Sequence, residues 1–328
     1  MSYAAAYTLY NYRFVDPSKG TTPYSNLRLI RAFERGLDPK SSEAGFVLTH
    51  VDMVAHSASL ILGTTQILDT LRDAPLNRAS VNEAFGLMLD ALDNIEASME
   101  EMWARSRPKD YLSYRTFIFG ITNQSMFPNG VIYEGHNGGE PMSFRGESGA
   151  NDSMIPLLDA LCQIPMPANP LTEILEDFRS YRPKPHRDFL AHVRDAAPEL
   201  GVRDYCERDP ETAVLYLRLL DHVRSFRWRH WLFAREYIIR RSSHPTATGG
   251  SPIVTWLPNQ LVAVMDLMAA VAAGLDAEAR ERVRHIMSNV WDQRVRLGRE
   301  VSKWCMERGV ENEAERKGVE SVPTAVKA

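Results

Sequence analysis

The sequence predicts an all-α fold, a single helical domain. Apolar residues recur at three- and four-residue spacing over long stretches, alternating strand-type patterns are scarce, and helix start and stop signals fall where those stretches begin and end. The helical spacing runs over Ala44 to Leu62, Val81 to Trp103, Ser153 to Gln163, Thr212 to Arg240, Pro258 to Ala273 and Ala277 to Met306. Asp276 is placed to cap the helix that opens at Ala277, with Glu278 in its first turn. Residues 121–151 and 241–252 are rich in Gly, Asn and Ser and read as loops, where binding groups usually sit on a rigid scaffold. We expect residues 1–40 to form an N-terminal segment, 41–308 the helical domain, and 309–328, charged and then Ser/Pro/Ala-rich, a flexible tail.

The 328 residues carry 44% hydrophobic side chains, enough for a substantial core, and a formal charge of -4 from 38 basic and 42 acidic groups. That balance gives no bulk field for nucleic acid or an anionic membrane, so selectivity must come from a local site. The sequence reads as free of an apolar run of membrane-spanning length and of a secretory leader. Cys162, Cys206 and Cys305 lie far apart without CxxC spacing, which argues against a disulfide framework or a structural zinc site and fits the reducing cytoplasm.

His230 lies on a helical stripe with Val223, Phe226, Phe233, Ala234 and Tyr237, so its imidazole projects from an apolar face. Such a face suits a haem, which needs an apolar slot and a neutral imidazole nitrogen for its iron. A core histidine bonded to a backbone carbonyl fits the same pattern. Arg227, Arg229 and Arg235 flank it, either as partners for haem propionates or as solvated charges. His50 shares a second apolar face with Phe46, Val47, Met53 and Val54, while His56 and Asp52, one turn apart, read as a structural pair. Arg115, in the aromatic run from Tyr111 to Phe119, has the chemistry to hold a carboxylate bidentately, although by the residues alone a snorkelling arginine is the better reading. Thr248, Gly249 and Gly250 form a loop that a ligand can approach closely, or a plain interhelical turn. None of the nine histidines has Glu three residues before it, which removes the di-iron motif, and neither HExxH nor a Walker-type loop is present.

Taken in order, these segments resemble one superfamily, the tryptophan and indoleamine 2,3-dioxygenases. SFRWRHWLFAREYI followed by ATGGSPIVTWL resembles the proximal-histidine helix and the substrate loop of both branches. NGVIYEGHNGGEPMSFRGESGANDS and FRSYRPKPHRDFL are similar to the indoleamine branch, whereas FVLTHVDM resembles the distal helix of the tryptophan branch. PKDYLSYRTFI resembles the helix that supplies an aromatic wall and a carboxylate-binding arginine, and the likeness runs from about Tyr10 to Leu257. Ala247 replaces the first glycine of the loop motif and Pro252 follows Ser251, so the pattern mixes the branches.

The resemblance implies a helical fold enclosing haem b, with His230 as axial ligand of the iron and Phe226, Arg227 and Ser148 around the cofactor. It implies His50 as the distal catalytic group and Phe46, Tyr111, Arg115, Thr248, Gly249 and Gly250 around the substrate. The implied partners are O2 and a small aromatic amino acid, and the implied activity is oxygenation of the indole ring of tryptophan or a derivative. Haem-dependent monooxygenases of modified tryptophans or tyrosine share the pattern, as does a non-catalytic haem sensor at the level of the two histidines alone. The segment YTLYNYRF resembles a region exchanged between neighbouring subunits, which implies a dimer or tetramer.

Overall fold

A computed structural model describes residues 8–73, 76–146, 152–242, 253–254 and 257–309, and the all-α expectation holds across them. Strand structure among the described residues is one short antiparallel hairpin, β1 (Tyr12–Phe14) against β2 (Leu27–Leu29), and an isolated bridge between Val131 and Met142. The hairpin packs on the first helix, α1 (Ser42–Ala55): Leu27 and Leu29 join Ala44, Val47, Leu48 and Val51 in a small core. Glu43 ties the intervening chain down, its carboxylate accepting the backbone N–H groups of Phe33, Glu34 and Arg35 at 2.5 to 3.1 Å.

The helix read from Ala44 to Leu62 is two helices. The backbone N–H groups of His56 and Ser57 bond three residues back, to Met53 and Val54, which tightens the turn and ends α1 before α2 (Ala58–Arg72) begins. The Asp52–His56 pairing does not form: the Asp52 carboxylate is held by Arg105 at 2.9 Å, and among the described residues no hydrogen bond joins it to His56. Arg105 belongs to α4 (Met102–Arg105), which follows α3 (Arg78–Glu100). The two backbones meet at Gly45, where an added Cβ would lie 1.8 Å from the Arg105 carbonyl oxygen. Only glycine allows α1 to approach so closely.

Next come α5 (Pro108–Ile118) and, beyond the turn-rich stretch to residue 146, α6 (Met154–Leu161), α7 (Pro170–Ser180), α8 (Lys184–Glu199) and α9 (Val202–Glu207). The helix α10 (Pro210–Phe233) runs on as a π-helical segment, Ala234–Ile239, and α11 (Leu257–Gly274) and α12 (Ala277–Arg308) complete the fold. Local chemistry starts these helices where they start. Side-chain oxygens of Ser41, Asn77, Asn169, Asp209 and Asp276 each accept the N–H of the residue three on, and Pro108, Pro170 and Pro210 occupy first-turn positions that need no amide donor.

In its first half α10 is apolar nearly all round and is the axis of the main core: Tyr216, Leu217, Leu219, Leu220 and Val223 are fully buried. Phe46 packs against both this core and the smaller one, and so joins the N-terminal hairpin to the helical body. Two stretches, Ser42–Arg72 and Leu257–Gly274, pass a test of length and apolarity for crossing a membrane, which the reading of the sequence did not expect. Their apolar residues serve the core instead: Leu261, Val264, Met265, Met268 and Val271 of α11 are all buried, and the first stretch is interrupted at His56.

Candidate active site

His230 sits in the last turn of α10 between Trp228 and Trp231, which are 7% and 1% exposed. Its own side chain is accessible and makes no hydrogen bond among the described residues. Yet its pKa is pushed down to about 4, chiefly by desolvation and then by the nearby charges of His50 and Arg227. The shift keeps the ring neutral, the form in which an imidazole binds a metal. That His50 contributes to it brings the histidines of α10 and α1 to one region of the fold.

His50 approaches from α1. Its Nδ1 lies 2.8 Å from the Phe46 carbonyl oxygen, an acceptor, so Nδ1 carries the proton and the ring is the tautomer whose Nε2 accepts. Burial lowers its pKa and keeps the ring neutral. The Phe46 ring packs on it with centroids 4.8 Å apart and continues to Tyr111 at 5.3 Å and Tyr114 at 6.0 Å. Helices α1 and α5 thus build one aromatic wall. Arg115, 2% exposed, stands one turn beyond Tyr111, hydrogen-bonded with it and with its guanidinium 4.7 Å from the centre of the Phe119 ring. Desolvation lowers its pKa while Tyr111 opposes the shift, so the wall ends in a buried cation.

The three flanking arginines meet acids on neighbouring helices. Arg227 forms a bidentate pair with Asp159 of α6 at 2.7 and 2.8 Å and donates to the Gln260 carbonyl. Arg229 pairs with Glu96 and Glu100 of α3, and Arg235 with Glu300 of α12 at 2.7 Å. Phe226 is half-buried against the main core, one turn before His230. The structure therefore brings together His230, His50, Phe46, Tyr111, Arg115 and Arg227; Ser148, Thr248, Gly249 and Gly250 lie outside the described residues.

One contributor escaped the reading of the sequence, and a second was read there only as part of the His230 stripe. Asp159 showed itself only as a lone acid within the apolar run of α6, and nothing there named Arg227 as its partner. Tyr237, on the π-helical segment, sets its ring 5.6 Å from Tyr111 and donates its hydroxyl to the Ser106 carbonyl, linking the helix of His230 to the aromatic wall. A recess of about 220 Å³, walled by Val54, Leu60, Ile61, Met154, Leu157 and Phe189, contains neither His230 nor His50.

The donor set fits a haem. It offers a neutral imidazole with no hydrogen bond among the described residues, a second histidine close enough to influence it, apolar side chains around both and a buried arginine in the adjoining wall. Fold and site together define a helical protein with two neutral histidines on neighbouring helices. The model of the indoleamine 2,3-dioxygenase family matches residues 1–275, and the chain belongs to that family, whose enzymes are haem-dependent.

An indoleamine 2,3-dioxygenase of Saccharomyces cerevisiae is 26% identical over 264 residues, covering 75% of this chain and 56% of that protein. A 6-hydroxytryptophan 2,3-dioxygenase of Fusarium equiseti is 27% identical over 194 residues, 57% of this chain and 46% of the relative. Indoleamine 2,3-dioxygenase 1 of Rattus norvegicus is 27% identical over 262 residues, 76% and 60% respectively. The chain thus spans about half the length of the curated relatives it matches.

Proposed function

We propose that this chain is a haem b-dependent, O2-using oxygenase that acts on the indole ring of tryptophan or a ring-substituted tryptophan. The observation that carries this reading is that two neutral histidines, His230 and His50, come near one another beside an aromatic wall that ends in a buried arginine. Indoleamine and 6-hydroxytryptophan dioxygenases among the relatives support the substrate class. Bound haem supplies the redox chemistry that dioxygen requires.

The residues of the chain bind and orient. His230, held neutral by desolvation, would hold the haem iron, and Phe226 would supply apolar surface beside it. Arg227, oriented by Asp159, presents positive charge for a propionate. Phe46 and Tyr111 give the indole a flat apolar surface, and Arg115 pairs with the substrate carboxylate. His50, as the Nε2 acceptor tautomer, takes the indole N–H and fixes the ring, an orienting role rather than one of acid strength. The resemblance of the sequence further assigns Thr248, Gly249 and Gly250 to binding of the amino-acid end and Ser148 to the cofactor, and we propose that the enzyme works as a homo-oligomer.

The test reduces the haem-loaded protein without oxygen, then adds O2 with L-tryptophan, substituted tryptophans and L-tyrosine, and weighs the products. A gain of two oxygen atoms on an indole substrate is expected; a gain of one moves the chain to monooxygenation, and no product from any of them overturns the reading. Arg115→Ala is expected to weaken L-tryptophan binding by about 2–5 kcal/mol, as loss of a buried charged partner does, and tryptamine binding far less. Equal losses for both ligands would remove Arg115 from the carboxylate.

A further inference from the structure

The helix α12 begins at Ala277, past the end of the family match at residue 275, and lies along α10 in the same direction. The contacts rise in order along both helices. Arg282 pairs with Glu211 at 2.6 Å, Gln293 accepts from Arg224, and the Arg296 guanidinium lies 5.3 Å from the centre of the Trp228 ring. At the far end Arg308 donates to the carbonyl oxygens of Ile239 and Ser242, where the π-helical segment runs out. So α12 splints the helix of His230 from its first turn to beyond its last.

At the centre of this splint stands Glu300. Its Oε2 accepts the Trp231 indole N–H at 2.8 Å, and its Oε1 accepts from Arg235 at 2.7 Å and from Arg296 at 3.0 Å. Trp231 is the residue after His230 and is 1% exposed, so its donor-only N–H requires an acceptor, and Glu300 is that acceptor. Arg235 stands one turn further along the same face. A single carboxylate therefore grips both ends of the turn that follows His230, where the helix widens into the π-helical segment. A helix gripped at two points of one turn can neither rotate nor slide there. Ligand groups need that control, since a productive site tolerates errors of only about 0.5 Å and 10–20°.

We propose that Glu300 is a positioning residue for the axial ligand: through Trp231 and Arg235 it sets the angle at which His230 addresses the haem iron. The inference rests on the reading of His230 as that ligand. It assigns to α12, outside the family match, control over the proximal side of the site.

The test compares the haem-loaded protein with Glu300→Ala, Glu300→Gln, Arg282→Ala and His230→Ala. It measures the rate of haem transfer to excess apomyoglobin, the ferric and ferrous Soret bands, and the thermal midpoint of the haem-free protein. Glu300→Ala is expected to lose haem about 10-fold faster, the low end of the cost known for partners that touch a ligand directly, since Glu300 acts through Trp231 and Arg235, with a shifted ferrous Soret band. Glu300→Gln, which keeps an acceptor for Trp231 but not the charge for Arg235, falls between, and carries the test alone if the alanine variant does not fold. Arg282→Ala, on the same helix pair but far from His230, lowers the midpoint and leaves haem loss and spectrum alone. A lower midpoint with unchanged haem loss and Soret bands in both Glu300 variants would make Glu300 merely structural and overturn the proposal. Unchanged haem loss and spectrum in His230→Ala would instead sink the ligand assignment, a failure told apart because Glu300 is intact in that protein.

Discussion

Besides Glu300, two buried acids help to hold the helix of His230, and their chemistry differs. Asp159 pairs directly with Arg227, with side chains 14% and 10% exposed, and the charge of Arg179 acts on it from further off, so neither member of the pair has much water to fall back on. Replacing Asp159 by Asn strands a buried guanidinium, and unfolding in urea is expected to show a loss of about 3–5 kcal/mol; a loss below about 1 kcal/mol would mean that Arg227 finds another partner. Glu96 sits among His222 at 2.9 Å, Arg229 at 2.7 Å and Ser225. Burial works to raise its pKa, but these donors prevail and hold the carboxyl below the usual range. A depressed folded pKa gives stability that is present above the unfolded pKa of about 4.3 and lost as pH falls through the folded value. The advantage of the parent over Glu96→Gln should therefore be constant from about pH 6 to 7 and shrink as pH drops below about 4, read as urea midpoints. An advantage that grew on acidification would reverse the sign and contradict the pairing.

The π-helical segment Ala234–Ile239 shows what a helix can do that its sequence does not announce. Its Arg240 N–H bonds five residues back, to Arg235, and the widened turn brings Tyr237 inward, 4% exposed, against Trp103, Tyr111 and Phe233. Tyr237→Phe keeps the ring packing but leaves the Ser106 carbonyl without this donor, a cost of about 1–3 kcal/mol. Because Tyr237 backs Tyr111, KM for L-tryptophan is expected to rise while haem content holds; an unchanged KM would confine Tyr237 to stability. The apolar spacing from Thr212 to Arg240 gave the helix but not the π turn, since a register set by contacts to α4 and α5 leaves the periodicity intact. The same spacing joined α1 to α2, because three-residue backbone bonds at His56 and Ser57 are invisible in a pattern of apolar side chains. Helices α7 and α8 went unread for another reason: their charged faces mask a narrow stripe such as Leu190, Val193, Ala196 and Ala197. His230, His50 and Arg115 were legible because each breaks an apolar face. Asp159 and Glu300 were not, because a salt bridge is a fact about two distant segments.

The site is built from parts far apart in the chain: α1 and α5 give the wall with His50, α10 gives His230, and α6 and α12 hold α10 in place through Asp159 and Glu300. A ligand that binds the folded chain alone stabilises it by about 2.7 kcal/mol at a hundredfold excess over its Kd. Added haemin is therefore expected to raise the thermal midpoint of the haem-free protein, and to slow amide exchange in α1 and α10 together, since it touches both. In His230→Ala the iron loses its protein ligand while the slot keeps its apolar walls, so the rise should be largely lost. Protection that appeared in α10 but not in α1 would mean that the two histidines do not face one group. Protection in both helices that survived His230→Ala would mean that the slot binds the porphyrin by its apolar surface, with the iron held by another side chain.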